Sequence, residues 1–190
     1  MDAPLLDLNY GLRDVQLKLE VPLKIVEDDD TGSSVGPGDM LLGVKWRFLN
    51  NERCQFQLGS YPQLLVPTGN RGHGLGEGRV AFVLPIVVQK NWEKWTAYGN
   101  VGYWWQTAHE TRNYFYAGAV LEREVNDRLT LGAELFINSP RERGGRSEVA
   151  FNIGATLKLR DHLNLIFAGG RDIVGDVHAM GYLGLQILTK

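Results

Sequence analysis

Thiol chemistry is nearly absent from this chain. Cys54 is the one cysteine in 190 residues, which excludes an internal disulfide and a thiolate metal cluster. An excess of one charge is missing too. Twenty Lys and Arg stand against 22 Asp and Glu, for a net charge of −2, so there is no basic footprint for nucleic acid. No stretch approaches the roughly 20 consecutive apolar residues of a membrane helix. That excludes helical spans only, because a transmembrane β-barrel turns every second residue to lipid and keeps a modest mean hydropathy, such as the −0.20 found here. The opening Met1-Asp2-Ala3-Pro4 lacks the basic n-region and apolar h-region of an export signal. Either the chain is not exported or its signal lies outside this sequence.

What is present in quantity is glycine, 23 residues, and 19 aromatics (5 Trp, 7 Tyr, 7 Phe), set in short periodic strands as barrels have them. Residues 38–69 show the pattern. Leu42, Val44, Trp46 and Phe48 share one face of an extended strand, and Gly43, Lys45 and Arg47 share the other, because side chains alternate in a strand. Asn-Asn-Glu-Arg turns the chain at 50–53, and Phe56 and Leu58 then alternate with Gln55, Gln57 and Gly59.

The same alternation recurs along the chain. Leu6, Leu8 and Tyr10 open it. Val15, Leu17, Leu19, Val21, Leu23 and Ile25 continue it, with Pro22 marking a bulge or weak pairing. Further strands follow over 80–89, 95–106, 114–123, 129–137, 149–159, 163–170 and 177–188. The reading is an all-β, up-and-down antiparallel transmembrane β-barrel of about eleven visible strands in a single domain, 1–190. Short turns (13–14, 50–53, 90–94, 126–128, 160–162) alternate with longer connections (27–38, 67–78, 108–111, 138–147, 172–176), as periplasmic turns and extracellular loops do. Strand parity then calls for one more N-terminal strand, twelve in the full-length parent.

About eight strands already just fill a barrel with side chains, so an eleven-strand barrel is expected to turn its apolar set outward. The lumen would be lined by Lys18, Glu20, Lys45, Arg47, Gln57, Glu134, Asn152 and Lys158, with Lys18/Glu20 and Arg47/Glu134 as neutralising pairs. Trp46, Phe48, Tyr61, Trp92, Trp95, Tyr103, Trp105 and Tyr182 are expected in interfacial girdles.

The runs LLDLNYGLRDVQLKLEVPLKIV, GPGDMLLGVKWRFLN, YPQLLVPTG, GLGEG, YGNVGYW and DRLTLGAELF together resemble the outer-membrane transporter family named for the meta-pathway of phenol degradation. The resemblance implies a Gram-negative outer-membrane barrel, porin-like, that takes up small and often aromatic compounds, and it carries over no catalytic residues. Such barrels usually end on an aromatic residue, whereas this chain ends Gln186-Ile187-Leu188-Thr189-Lys190.

Other chemistries find little support. His73, His109, His162 and His178 are scattered, and Ser60, Ser139 and Ser147 have no evident acid-base partners, so neither a metal, a cofactor nor an enzyme is expected. The glycine-rich run at 69–78 is not followed by a helix, which defeats a phosphate cradle and suggests a mobile loop. Residues 27–30 (EDDD) form a carboxylate run suited to a solvated loop or to cations. Arg141, Arg143 and Arg146 suit lipopolysaccharide phosphates. The expected partners are the bilayer, lipopolysaccharide and a small-molecule solute. The alternatives are a structural barrel with a plugged lumen and a soluble ligand-binding barrel.

Overall fold

The computed structural model describes residues 2–28, 32–107, 111–175 and 179–188, without the side chains of 2–5, 27, 28 and 32. The carboxylates of the 27–30 run, His109, His178 and the terminal Thr189-Lys190 lie outside the described residues. Among the described residues thirteen strands form one sheet: β1 (Asp2–Leu12), β2 (Val15–Asp28), β3 (Gly32–Pro37), β4 (Met40–Asn51), β5 (Phe56–Ser60), β6 (Gln63–Val66), β7 (Ala81–Trp92), β8 (Trp95–Gln106), β9 (Tyr114–Asn126), β10 (Leu129–Asn138), β11 (Glu148–Arg160), β12 (Leu163–Val174) and β13 (Met180–Ile187). Eleven of them follow chain order across the sheet, while β3 pairs with β2, and β6 with β4 and β7. The expected meander of eleven is therefore this path. The two extra strands arise where loops were expected: residues 32–37 fold back on β2, and the chain breaks at Tyr61-Pro62 to start β6.

Tight connections account for the strand ends. Arg13, Gln55 and Glu93 adopt positive φ (47°, 50° and 50°), each in a short turn of the kind whose handedness matches twisted strands. Beside Pro22 the ladder with β1 shifts register, with Asp2 opposite Lys24 and Leu5 opposite Pro22, as a residue with no N–H to donate requires.

The chain packs as two compact units. The first comprises Met1–Leu49, Gly59–Ile86 and Gly102–Asn113. Within it Leu8 faces Leu19, and Leu19 faces Leu42. Leu42 faces Leu64, and Leu64 faces Phe82. One apolar row thus crosses four neighbouring pairs. The row behind it reads Asn9, Lys18, Gly43, Gln63 and Val83. The second unit comprises Asn50–Leu58, Val87–Val101 and Tyr114–Lys190. There Leu121 faces Ala133 and Ala133 faces Ile153, while Glu122, Gly132, Gly154, Ala168 and Tyr182 align on the other side.

The two faces differ in the sense opposite to a water-soluble sheet. Tyr10 is 65% exposed, Val101 54%, Ile153 63% and Leu183 74%. Among the described residues the largest fully buried side chains are Val83 and Pro85, on the other face of β7. Soluble monomers seldom leave so extended an apolar surface to water, whereas lipid accepts it. Exposed and half-buried aromatics meet one another: Trp46 meets Phe48 at 5.4 Å, Tyr103 meets Trp105 at 4.8 Å, and the Arg123 guanidinium lies over Trp95 at 5.2 Å. Two of the expected girdle residues are elsewhere. Tyr182 pairs with Ala168 on the polar face, and Tyr61 packs over Gly43.

Ile153→Arg tests the apolar face directly. In lipid vesicles it should lower folding stability by about 2–4 kcal/mol, read from urea titrations, because a charge then faces hydrocarbon. A change within about 0.5 kcal/mol, as at a watered surface, would mean that this face does not meet lipid.

Candidate functional site

The polar face of the first unit is built on β1, β2 and β4. Register sets Asp7 opposite Glu20, Asn9 opposite Lys18 and Gln16 opposite Lys45. The Lys18 ammonium bonds Glu20 and lies 3.2 Å from Asp7. Asn9 donates to Asp7 at 2.7 Å, and Gln16 donates to Asn9 at 3.2 Å. The Tyr61 ring fills the gap at Gly43, where a Cβ would stand 2.5 Å from the ring. Both lysines flank that ring, Lys45 at 5.0 Å and Lys18 at 5.9 Å from its centroid. This geometry favours a cation over a π face. The expected Lys18–Glu20 contact is present.

Arg47 and Glu134, expected as a pair, belong to different units and each has a partner within its own. Arg47 donates to Asp14 from Nη2 at 2.8 Å and Nε at 3.2 Å, and Glu134 accepts from Asn152 Nδ2 at 2.9 Å. Asp14 is in the turn next to Arg47's register position, and Arg47 N also bonds Asp14 O, so the local partner wins. Both side chains are more than a third exposed, and the pair contributes well under about 1 kcal/mol.

The glycine-rich connection after β6 is held in place, contrary to the expected mobile loop. Asp39, only 7% exposed, accepts from Gly69 N at 2.9 Å and Glu77 N at 2.7 Å. Thr68 Oγ1 donates to Gly38 O and accepts from Met40 N, both at 3.0 Å. Asn70 caps a single 3₁₀ turn, Arg71–His73. The connection delivers Leu75, 5% exposed, onto Gly36, where a Cβ would lie 2.9 Å from Leu75 Cδ1. Gly36 pairs with Lys24, two residues from Pro22 on the polar side of β2, so Leu75 is packed on the polar face.

In the second unit the polar face carries Tyr98, Glu122, Glu134 and Asn152. Tyr98 Oη donates to Glu122 Oε1 at 2.7 Å. Lys158 pairs with Asp161 at 2.9 Å and holds that turn carboxyl below its ordinary range, by hydrogen bond first and charge second. Gln57 alternates with half-buried Phe56 and Leu58 in β5. Arg141 pairs with Glu148 at 3.2 Å and lies over the Tyr114 ring at 5.2 Å. His73 and His162 are exposed, Ser60 Oγ donates to Pro85 O, and among the described residues no group of His, Cys, Asp or Glu could hold a metal ion. Asp39, Leu75, Tyr98 and Glu122 were not singled out from the sequence. The even-numbered phase of β8 and β9 would have pointed to the last two, whereas nothing local marks Asp39.

These faces can be set beside known proteins. Residues 5–182 match the model of the family described as "Putative MetA-pathway of phenol degradation". The chain belongs to this family. Among solved structures, the COG4313 outer membrane channel from Pseudomonas putida F1 superposes with a TM-score of 0.70 at 20% identity, covering 95% of this chain and 79% of that one. A porin refined at 1.8 Å resolution superposes with a TM-score of 0.51 at 8% identity, covering 94% and 59%. The fold is thus that of an outer-membrane β-barrel, and both neighbours are described as channels or porins rather than enzymes. No curated protein matches in sequence. Family membership bears out the resemblance carried by the strand and loop runs.

Asp39→Ala should free the connection after β6. It leaves two backbone N–H groups without their carboxylate, a loss of about 2–4 kcal/mol locally. Limited trypsin digestion should then cut after Arg71 and Arg79 much faster than in the parent chain. Equal cleavage rates would show that Asp39 does not hold this segment.

Proposed function

We propose that the chain is an outer-membrane channel through which small molecules, apolar and aromatic ones among them, pass without energy coupling. The observation that carries this reading is the segregation of the two faces. The exposed set is Leu, Val, Ile, Phe and Trp in strand after strand, while the face behind it holds paired charges, amides and glycine. A charge buried without a partner costs several kcal/mol, roughly, and Lys18 and Arg47 each have a carboxylate partner. On this reading Lys18, Glu20, Lys45, Arg47, Gln57, Glu134, Asn152 and Lys158 line a wet lumen. The likeness in fold to an outer membrane channel and a porin supports it. Arg143 and Arg146, exposed between β10 and β11, would meet the phosphates of lipopolysaccharide.

A second reading is a barrel plugged by its own chain. It is favoured by one observation, the packing of Leu75 against Gly36 on the polar face. Liposome swelling separates the two. A channel should pass small neutral sugars, with rates falling steeply as solute size grows. Vesicles that swell no faster than protein-free controls for any small solute would favour the plugged barrel. A chain that stays monodisperse in buffer without detergent would overturn both.

A further inference from the structure

We propose that the polar face of the second unit carries a binding recess for a small organic cation, an ammonium group attached to an apolar body. The proposal rests on the channel reading of that face and names a solute class for it.

The recess comes from register. Gly132, Gly154 and Ala168 stand side by side on β10, β11 and β12, a row about 10 Å long at ordinary strand spacing with almost no side chain above the backbone. The rows on either side are taller. Thr130, Thr156 and Ile166 align on one flank, and Glu134 and Asn152 on the other. The trough between them has a volume of about 290 Å³, at the small end of ligand sites. Gly154 admits no larger residue without a shift of its neighbours, since a Cβ there would stand 2.8 Å from Phe167 O and 2.9 Å from Ala168 Cβ.

The chemistry at one end of the trough is one-sided. Glu122 lies against Gly132 and accepts from Tyr98, and Glu134 accepts from Asn152. Both donors are neutral. A carboxylate offers about four acceptor sites, so each glutamate keeps most of its capacity. Among the described residues no lysine or arginine lines the recess. On β11 the nearest cation of the same face, Lys158, is engaged by Asp161, and the remaining groups on the flanks are hydroxyl, amide or alkyl. A ligand that completes this site brings N–H donors and positive charge to Glu122 and Glu134, and lays an apolar body along Gly132, Gly154 and Ala168 toward Ile166. An ammonium does this, because charge-assisted hydrogen bonds are the strong ones. A carboxylate would be repelled.

The test uses the full chain in detergent micelles and three probes of one shape: benzylammonium, benzyl alcohol and benzoate, titrated calorimetrically. Benzylammonium should bind about tenfold more tightly than the alcohol, with benzoate weaker still. The double variant E122Q/E134Q keeps acceptors for Tyr98 and Asn152 and should erase the gap between benzylammonium and the alcohol. Ala168→Leu should weaken benzylammonium by filling the trough with the charges intact. Heat-dependent gel mobility confirms folding of each variant. Equal binding of benzylammonium and the alcohol by the parent chain overturns the proposal, and so does a preference that survives in the double variant. Passage of neutral sugars with no cation preference would sink this proposal and leave the channel standing. Cation binding with no passage of any solute would do the reverse.

Discussion

A strand that crosses hydrocarbon has nowhere to put its backbone N–H and C=O groups except on its neighbours. Everything else in this structure follows from that constraint. It makes pairing continuous, and continuous pairing makes register strict, since a slip of one residue would exchange the faces of a whole strand. The row Leu8, Leu19, Leu42, Leu64 and Phe82 and the row behind it are two consequences of one set of hydrogen bonds. Where the bonds cannot be made, as beside Pro22, the ladder shifts register.

Strict register also decides which polar residues become neighbours. Asp7, Glu20 and Lys18 meet because two strands deliver them to adjacent positions of one face. Glu122 and Glu134 share a face with Tyr98 and Asn152 for the same reason. Size matters as much as charge on that face. Gly43 admits the Tyr61 ring between two lysines, whereas Gly132 and Gly154 meet only the Glu122 side chain and the Ala168 methyl of their neighbours and line a trough. A glycine opposite a large residue gives packing, and a row of small residues gives a trough.

Much of this was readable in advance because period-2 alternation needs no tertiary information. The phase of Leu42, Val44, Trp46 and Phe48 against Lys45 and Arg47 places each on its observed face. Readings failed where partners come from distant turns or where the chain departs from a strand. Opposite charge alone matches Arg47 to an acid on another strand, whereas register brings the turn residue Asp14 to it. Residue type alone assigns Tyr61 and Tyr182 to the interfacial aromatics, although Tyr61 stands at the break between β5 and β6, where phase cannot be counted through, and Tyr182 shares the phase of Ala168. The connection after β6 reads as flexible because glycine is permissive. Its order depends on one carboxylate, Asp39, which lies thirty residues from Gly69 in the chain.

The sequence by itself determined the class of fold, the eleven-strand path and the face that most strand residues take, because alternation and turn spacing are local properties of the chain. The strand and loop runs also determined the family. Tertiary structure alone decided which charges pair, that residues 67–78 are held by Asp39 and set Leu75 on the polar face, and that Gly132, Gly154 and Ala168 line up into a recess. Those outcomes depend on cross-strand register and on contacts between residues far apart in the chain, and neither is written in any single stretch of it.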